Sequence, residues 1–153
     1  MGTQQILLIV LSVIIVGAAI AVGIQMFNAQ AYSANKSAIA ADAQSFASQV
    51  VQYYKTPESQ GGLGGDMYVG NGNTQTGTAV TAAQVGGFIG WGGATTSNDS
   101  GTYTITVTAG THPAGTITIT GVGKEERDSK NPKIVTTVAL PAGTITATAS
   151  DVT

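Results

Sequence analysis

From Ile6 to Ile24 the chain is apolar at nearly every position, nineteen residues interrupted only by Ser12, Gly17 and Gly23. At about 1.5 Å per residue such a run makes a helix of roughly 28 Å, enough to cross the hydrocarbon core of a bilayer. The apolar pattern then narrows instead of ending. Tyr32, Ile39, Ala43, Phe46, Val50 and Tyr53 recur at spacings of seven, four, three, four and three, one face of an α-helix. The Ala, Gln and Ser residues between them are good or tolerable helix formers. No proline intervenes before Pro57, so the helix is expected to stop at or before Thr56. The pattern predicts one helix of about fifty residues, roughly 75 Å long. Its first half is apolar all round and its second half apolar on one stripe. The stripe has a sheet to lie on; the first half has nothing of its own chain to cover it.

From Pro57 to about Ser100 the pattern is broken by turn dipeptides, among them Gly61-Gly62, Gly64-Gly65 and Asn71-Gly72. Isolated apolar residues (Met67, Tyr68, Val69, Val85, Phe88, Ile89 and Trp91) are placed to pin this loop to a sheet. Thr81–Val85 fits a helical turn or a short strand equally. After Gly101 the period becomes two. Tyr103, Ile105 and Val107 alternate with threonines, Ile117 and Ile119 repeat the alternation, Ile134, Val135 and Val138 mark a third strand, and Thr144–Thr148 around Ile145 a fourth. Short connections, including a charged turn over 121–133, favour antiparallel hairpins. The expected class is α+β: an apolar helix over 1–27, then a globular domain over 28–153. That domain comprises an amphipathic helix (28–56), a glycine-rich loop (57–100) and an antiparallel sheet of about four strands (101–153). Its core is expected from Ile39, Phe46, Val50 and Tyr53 against Tyr103, Ile105, Val107, Ile117 and Ile119, with threonines facing solvent. Val107→Asp is expected to cost several kcal/mol by burying an unpaired charge.

Composition sharpens this picture. Charged residues are only 9% of the 153, against roughly 25% in ordinary soluble proteins, so much of the surface is expected to face lipid or partners. Only six residues are Lys or Arg, and there is no basic footprint for nucleic acid. With no cysteine there is no disulfide, thiolate metal site or cysteine nucleophile.

Three fates suit the apolar helix. A cleavable secretory signal would begin with a positive n-region and carry a shorter apolar stretch, whereas Met1–Gln5 has no Lys or Arg. A membrane anchor for a β-rich surface-binding domain would show a Lys/Arg bias at one flank, and the first charge after the run is Lys36. The third fate is a polymer core. On residues 1 to about 54, the apolar helix running into an amphipathic one, followed by a loop and a C-terminal sheet, the chain resembles the type IV pilins.

That resemblance implies a precursor inserted in the inner membrane, trimmed by a prepilin peptidase and handed to a pilus assembly machinery. The product is an extracellular filament of identical subunits with their apolar helices bundled at its axis. Met1 would then be the processed, N-methylated terminus, a basic leader having been removed. Subunit packing would fall to Gln5, Leu8, Leu11, Ile15, Gly17, Ala18, Ala21 and Gly23. Two departures stand out: Gln5 occupies the position where the family usually has a glutamate that pairs with a neighbour's amine, and the apolar run lacks the family's usual mid-helix proline. Gly17–Gly23 is the stretch expected to lose regular helical hydrogen bonding in a filament. A minor pilin or a secretion pseudopilin has the same layout.

Candidate chemistry is sparse. Gly61–Gly65 follows a helix rather than opening one, and no Gly-Lys-Ser/Thr occurs, so a flexible loop is favoured over a phosphate site. His112 lies in a Gly/Thr/Pro turn and is expected to be exposed. Glu125, Glu126 and Asp128 are interleaved with Lys124, Arg127 and Lys130, which disfavours calcium there. Asn35-Lys36-Ser37 and Asn98-Asp99-Ser100 match the N-glycosylation pattern. No catalytic constellation, metal site, cofactor or small-molecule substrate is expected.

Overall fold

The computed structural model describes residues 2–69 and 77–152. The expected modification at Met1 and the Asn71-Gly72 turn lie outside the described residues. One helix, α1 (Gly2–Lys55), runs unbroken for 54 residues, so regular helix continues through Gly17–Gly23 in the single chain. It ends two residues before Pro57, with Thr56 N–H still donating to the Gln52 carbonyl at 2.9 Å, as the conformational restriction on a residue preceding proline requires.

A short 3₁₀ turn (Glu58–Gln60) is followed by a two-stranded ribbon, β1 (Tyr68–Val69) with β2 (Thr78–Ala79), then α2 (Ala82–Phe88). The glycine-rich stretch is therefore more structured than the expected loop. Thr81 settles the helix-or-strand ambiguity at 81–85. Its hydroxyl accepts from Gln84 N–H at 3.3 Å while its own N–H donates to the Gln84 side-chain oxygen at 2.8 Å, the reciprocal capping that starts a helix.

Five antiparallel strands follow in simple sequential order: β3 (Thr95–Ser97), β4 (Gly101–Ala109), β5 (Gly115–Gly123), β6 (Asn131–Leu140) and β7 (Thr144–Val152). The sheet thus has one strand more than expected, because the three residues of β3 are too few to show a period of two. The charged turn shrinks to 124–130 as β5 and β6 extend into it.

α1 packs across the sheet, mainly on β5 and β6. Tyr32, Ile39, Ala43, Ala47, Val50, Tyr53 and Tyr54 are its buried positions. Facing them are Tyr103, Ile105, Ile117, Ile119, Ile134 and Val138, with Leu63, Met67 and Val85 closing the core from the loop side. Phe46 is half-buried and meets Trp91 and Tyr103 edge to face, with ring centroids at 5.0 and 5.2 Å. Gly121 makes room for Tyr103: a Cβ there would lie 3.0 Å from the ring.

The sheet departs from the expected alternation in three places. Val107 is only partly buried, because β3 pairs no further than Thr95 with Thr104 and leaves the end of β4 an open edge. Ile105 and Ile117 are the stricter core positions. Thr136 points inward on β6, fully buried, with no hydrogen-bond partner for its hydroxyl among the described residues. On β7 the positions paired with core residues, Ile145, Ala147 and Ala149, are exposed; α1 packs mainly on β5 and β6 and meets β7 near its end, where Tyr32 and Lys36 reach Asp151.

Candidate functional site: the uncovered helix

The amphipathic half of α1 is fixed to the sheet by polar clasps as well as by its apolar stripe. Tyr32 donates its hydroxyl to Asp151 at 2.5 Å, and Lys36 pairs with the same oxygen at 3.1 Å. Burial and then the Asp151 carboxylate push the Tyr32 phenol up to about 12, and the Tyr32 hydroxyl holds Asp151 below the usual carboxylate range. Asn35 donates to the Ser100 carbonyl at 2.7 Å. Asp42 accepts from Tyr103 at 2.6 Å and from the Asn98 amide at 2.9 Å. The Tyr103 hydrogen bond depresses the Asp42 carboxyl, while burial first, and then Asp42, raise the Tyr103 phenol. The two glycosylation-pattern asparagines thus have their amide nitrogens engaged in tying α1 to the 98–101 turn.

A second polar pair fastens the loop. His112 Nε2 lies 2.5 Å from Asp66 Oδ2, with side chains only 12% and 9% exposed. Tyr68 leans on the imidazole at 5.7 Å between centroids, and its N–H donates to the other Asp66 oxygen. The histidine expected to be exposed is a half-buried clasp between the loop and the β4–β5 hairpin. Its partner stands 46 residues away in sequence.

From Ile6 to Ile24 no other described element covers α1. Every large apolar side chain from Ile6 to Phe27 is 50–76% exposed. The helix is long and apolar enough to cross a membrane. Gln5, Leu8, Leu11, Ile15, Gly17, Ala18 and Ala21 are all exposed and Gly23 nearly so, with open space at both glycines. The small residues do not form one stripe. At about 100° per residue, Gly17, Ala18 and Ala21 share one face, while Gly23 sits on the far side. The helix therefore offers close approach to neighbours in more than one direction. Among the described residues, no three His, Cys, Asp or Glu side chains are grouped to hold a metal.

In comparisons with protein-family models, curated proteins and solved structures, none matches this chain.

Proposed function

We propose that the chain is the major structural subunit of an extracellular, type IV pilus-like filament, membrane-inserted before assembly and polymerised through the apolar half of α1. The observation that carries this reading is a rigid apolar rod continuous with a helix locked into a folded domain. Each large apolar side chain withdrawn from water is worth about 1.5–3 kcal/mol. The fifteen from Ile6 to Phe27 make water untenable as the lasting solvent.

Lipid tails are as apolar as leucine, so moving the rod from lipid into a bundle gains little from hydrophobicity. Packing through Gly17, Ala18, Ala21 and Gly23 has to supply the preference. Small residues on opposite faces suit a helix with several neighbours, and heterologous contacts that close no ring give a helical polymer. The 9% of charged residues fits a domain surface that meets other copies. Gln5 cannot neutralise a neighbour's ammonium, so register is set by packing. The role is structural rather than catalytic.

Electron microscopy of material sheared from the surface of cells producing the chain tests the reading. Long fibres composed mainly of this chain are expected. Short or rare incorporation into fibres built of another subunit assigns it as a minor pilin or pseudopilin. Full retention in the membrane fraction assigns it as an anchored surface domain.

A further inference from the structure

The chain has fourteen charged residues if its six Lys and Arg and eight Asp and Glu are taken together, and seven of them fall between Lys124 and Lys133. The fold carries this segment to one place. Glu125 N–H reaches the Asn35 side chain at 3.4 Å. From there the turn runs back along α1, so that Glu126, Arg127 and Asp128 form a cleft of about 340 Å³ with Gln25, Asn28 and Ala29. Its tip is a tight two-residue hairpin. Arg127 and Lys130 exchange backbone hydrogen bonds at 2.9 and 3.0 Å, and Asp128 and Ser129 both have positive φ, 54° and 59°, as a twist-matched hairpin turn demands. The tip is exposed throughout.

Gln25–Ala29 is the stretch immediately past the Ile6–Ile24 run. A bilayer's headgroup layer is about 5–8 Å thick on each side, three to five helical residues at about 1.5 Å each. With Ile6–Ile24 in the hydrocarbon, Gln25–Ala29 occupies that layer, and so does the tip beside it. The apolar run has no Lys or Arg at either sequence flank. The fold supplies the flank in three dimensions, from about a hundred residues away.

We propose that the tip of the β5–β6 turn is a phospholipid-binding hairpin, in which Arg127 and Lys130 engage lipid phosphates while α1 is inserted. Glu126 and Asp128 keep the tip from sinking, because carrying a charge to the bilayer centre costs about 2.5–3.5 kcal/mol. The turn acts as a depth stop as well as a contact. This rests on the membrane-inserted form in the reading above and not on polymerisation.

The chain has no native cysteine, so one fluorophore can be placed cleanly on the full-length protein in phosphatidylcholine–phosphatidylglycerol vesicles. One label goes at Glu126→Cys. A control goes at Ala142→Cys, in the β6–β7 turn, whose Gly143 lies against Val51, 26 residues farther along the helix than Gln25. A quencher attached to lipid headgroups should quench the first label several-fold more than the second. Adding Arg127→Gln and Lys130→Gln should bring that quenching down towards the control. Equal quenching at the two positions, or quenching that survives the double substitution, overturns the proposal. A chain that shows the contact yet forms no fibres keeps the lipid site and loses the filament. Fibres from a chain whose Glu126→Cys label stays in water on vesicles lose the lipid site alone.

Discussion

α1 is one helix with two kinds of surface. From Tyr32 to Tyr54 it buries a stripe against the chain's own sheet, with Ile39, Ala43, Ala47 and Val50 at 0% exposure. From Ile6 to Phe27 the same backbone geometry leaves large apolar side chains more than half exposed or nearly so. What differs is the placement of polar residues. Lys36, Asp42, Gln44 and Ser48 leave an apolar stripe one sheet wide. The first half has apolar residues on every face, which no single sheet can cover. The second half's partner is therefore written into the chain, and the first half's partner must come from outside it.

The two halves should separate under mutation. Ile117→Asp buries an unpaired charge opposite the stripe and should cost upwards of about 4 kcal/mol. The full-length chain in micelles should lose the near-ultraviolet signal of Trp91 while still partitioning into membranes. Ile14→Arg should do the reverse, costing insertion about 2.5–3.5 kcal/mol and leaving the Trp91 signal intact. If either change abolishes both properties, the two halves are not independent.

Ile39→Ala opens a cavity on the stripe and should lower unfolding stability by about 2–5 kcal/mol in urea titration. His112→Ala leaves Asp66 buried without its partner and should cost about 1–3 kcal/mol. Hydrogen exchange should show its effect concentrated at Leu63–Val69, with α1 unaffected; a uniform effect would mean that the clasp is not local.

The pH profile follows from the tyrosines on and against the stripe. Tyr32, Tyr53, Tyr54 and Tyr103 all have their phenols raised above the ordinary value of 10.0, chiefly by burial. A group whose pKa is raised on folding stabilises fully below its unfolded value and loses that stabilisation as pH rises towards the folded one. Melting temperature should therefore fall above about pH 10. Asp42, depressed on folding from 3.8, should withdraw its contribution as pH falls below about 4. A melting temperature unchanged between pH 9 and 11 would contradict the burial of the phenols. Thr136→Val should be the smallest effect, a gain of about 1 kcal/mol from removing an unpartnered buried hydroxyl; a loss there would mean that the hydroxyl has a partner.

Most of the fold was legible because it follows periods. The long helix, its stop before Pro57 and the alternation at Tyr103–Val107 and Ile117–Ile119 are local patterns with direct physical causes. β3 escaped because three residues show no period. The burial of Val107 was overestimated because alternation reveals which face a side chain takes, not whether a neighbouring strand covers it. The clasps escaped for a different reason. Asp66–His112, Asn35–Ser100 and Asp42–Tyr103 join residues 46, 65 and 61 apart, and a pairing at that distance leaves no trace in local composition. The uncovered helix was visible from its residue types alone. The charged turn beside its base was visible only as a turn, since nothing in residues 124–130 says that they fold back onto Gln25.

The claim that the apolar half ends its life against copies of itself is tested most directly by asking what touches it. A photocrosslinking residue placed at Leu11, exposed on the middle of the apolar run, captures its neighbour on illumination. In sheared cell-surface material the account predicts chain-to-chain adducts as the main product. Lipid adducts alone, with the chain monomeric and confined to the membrane, would contradict it.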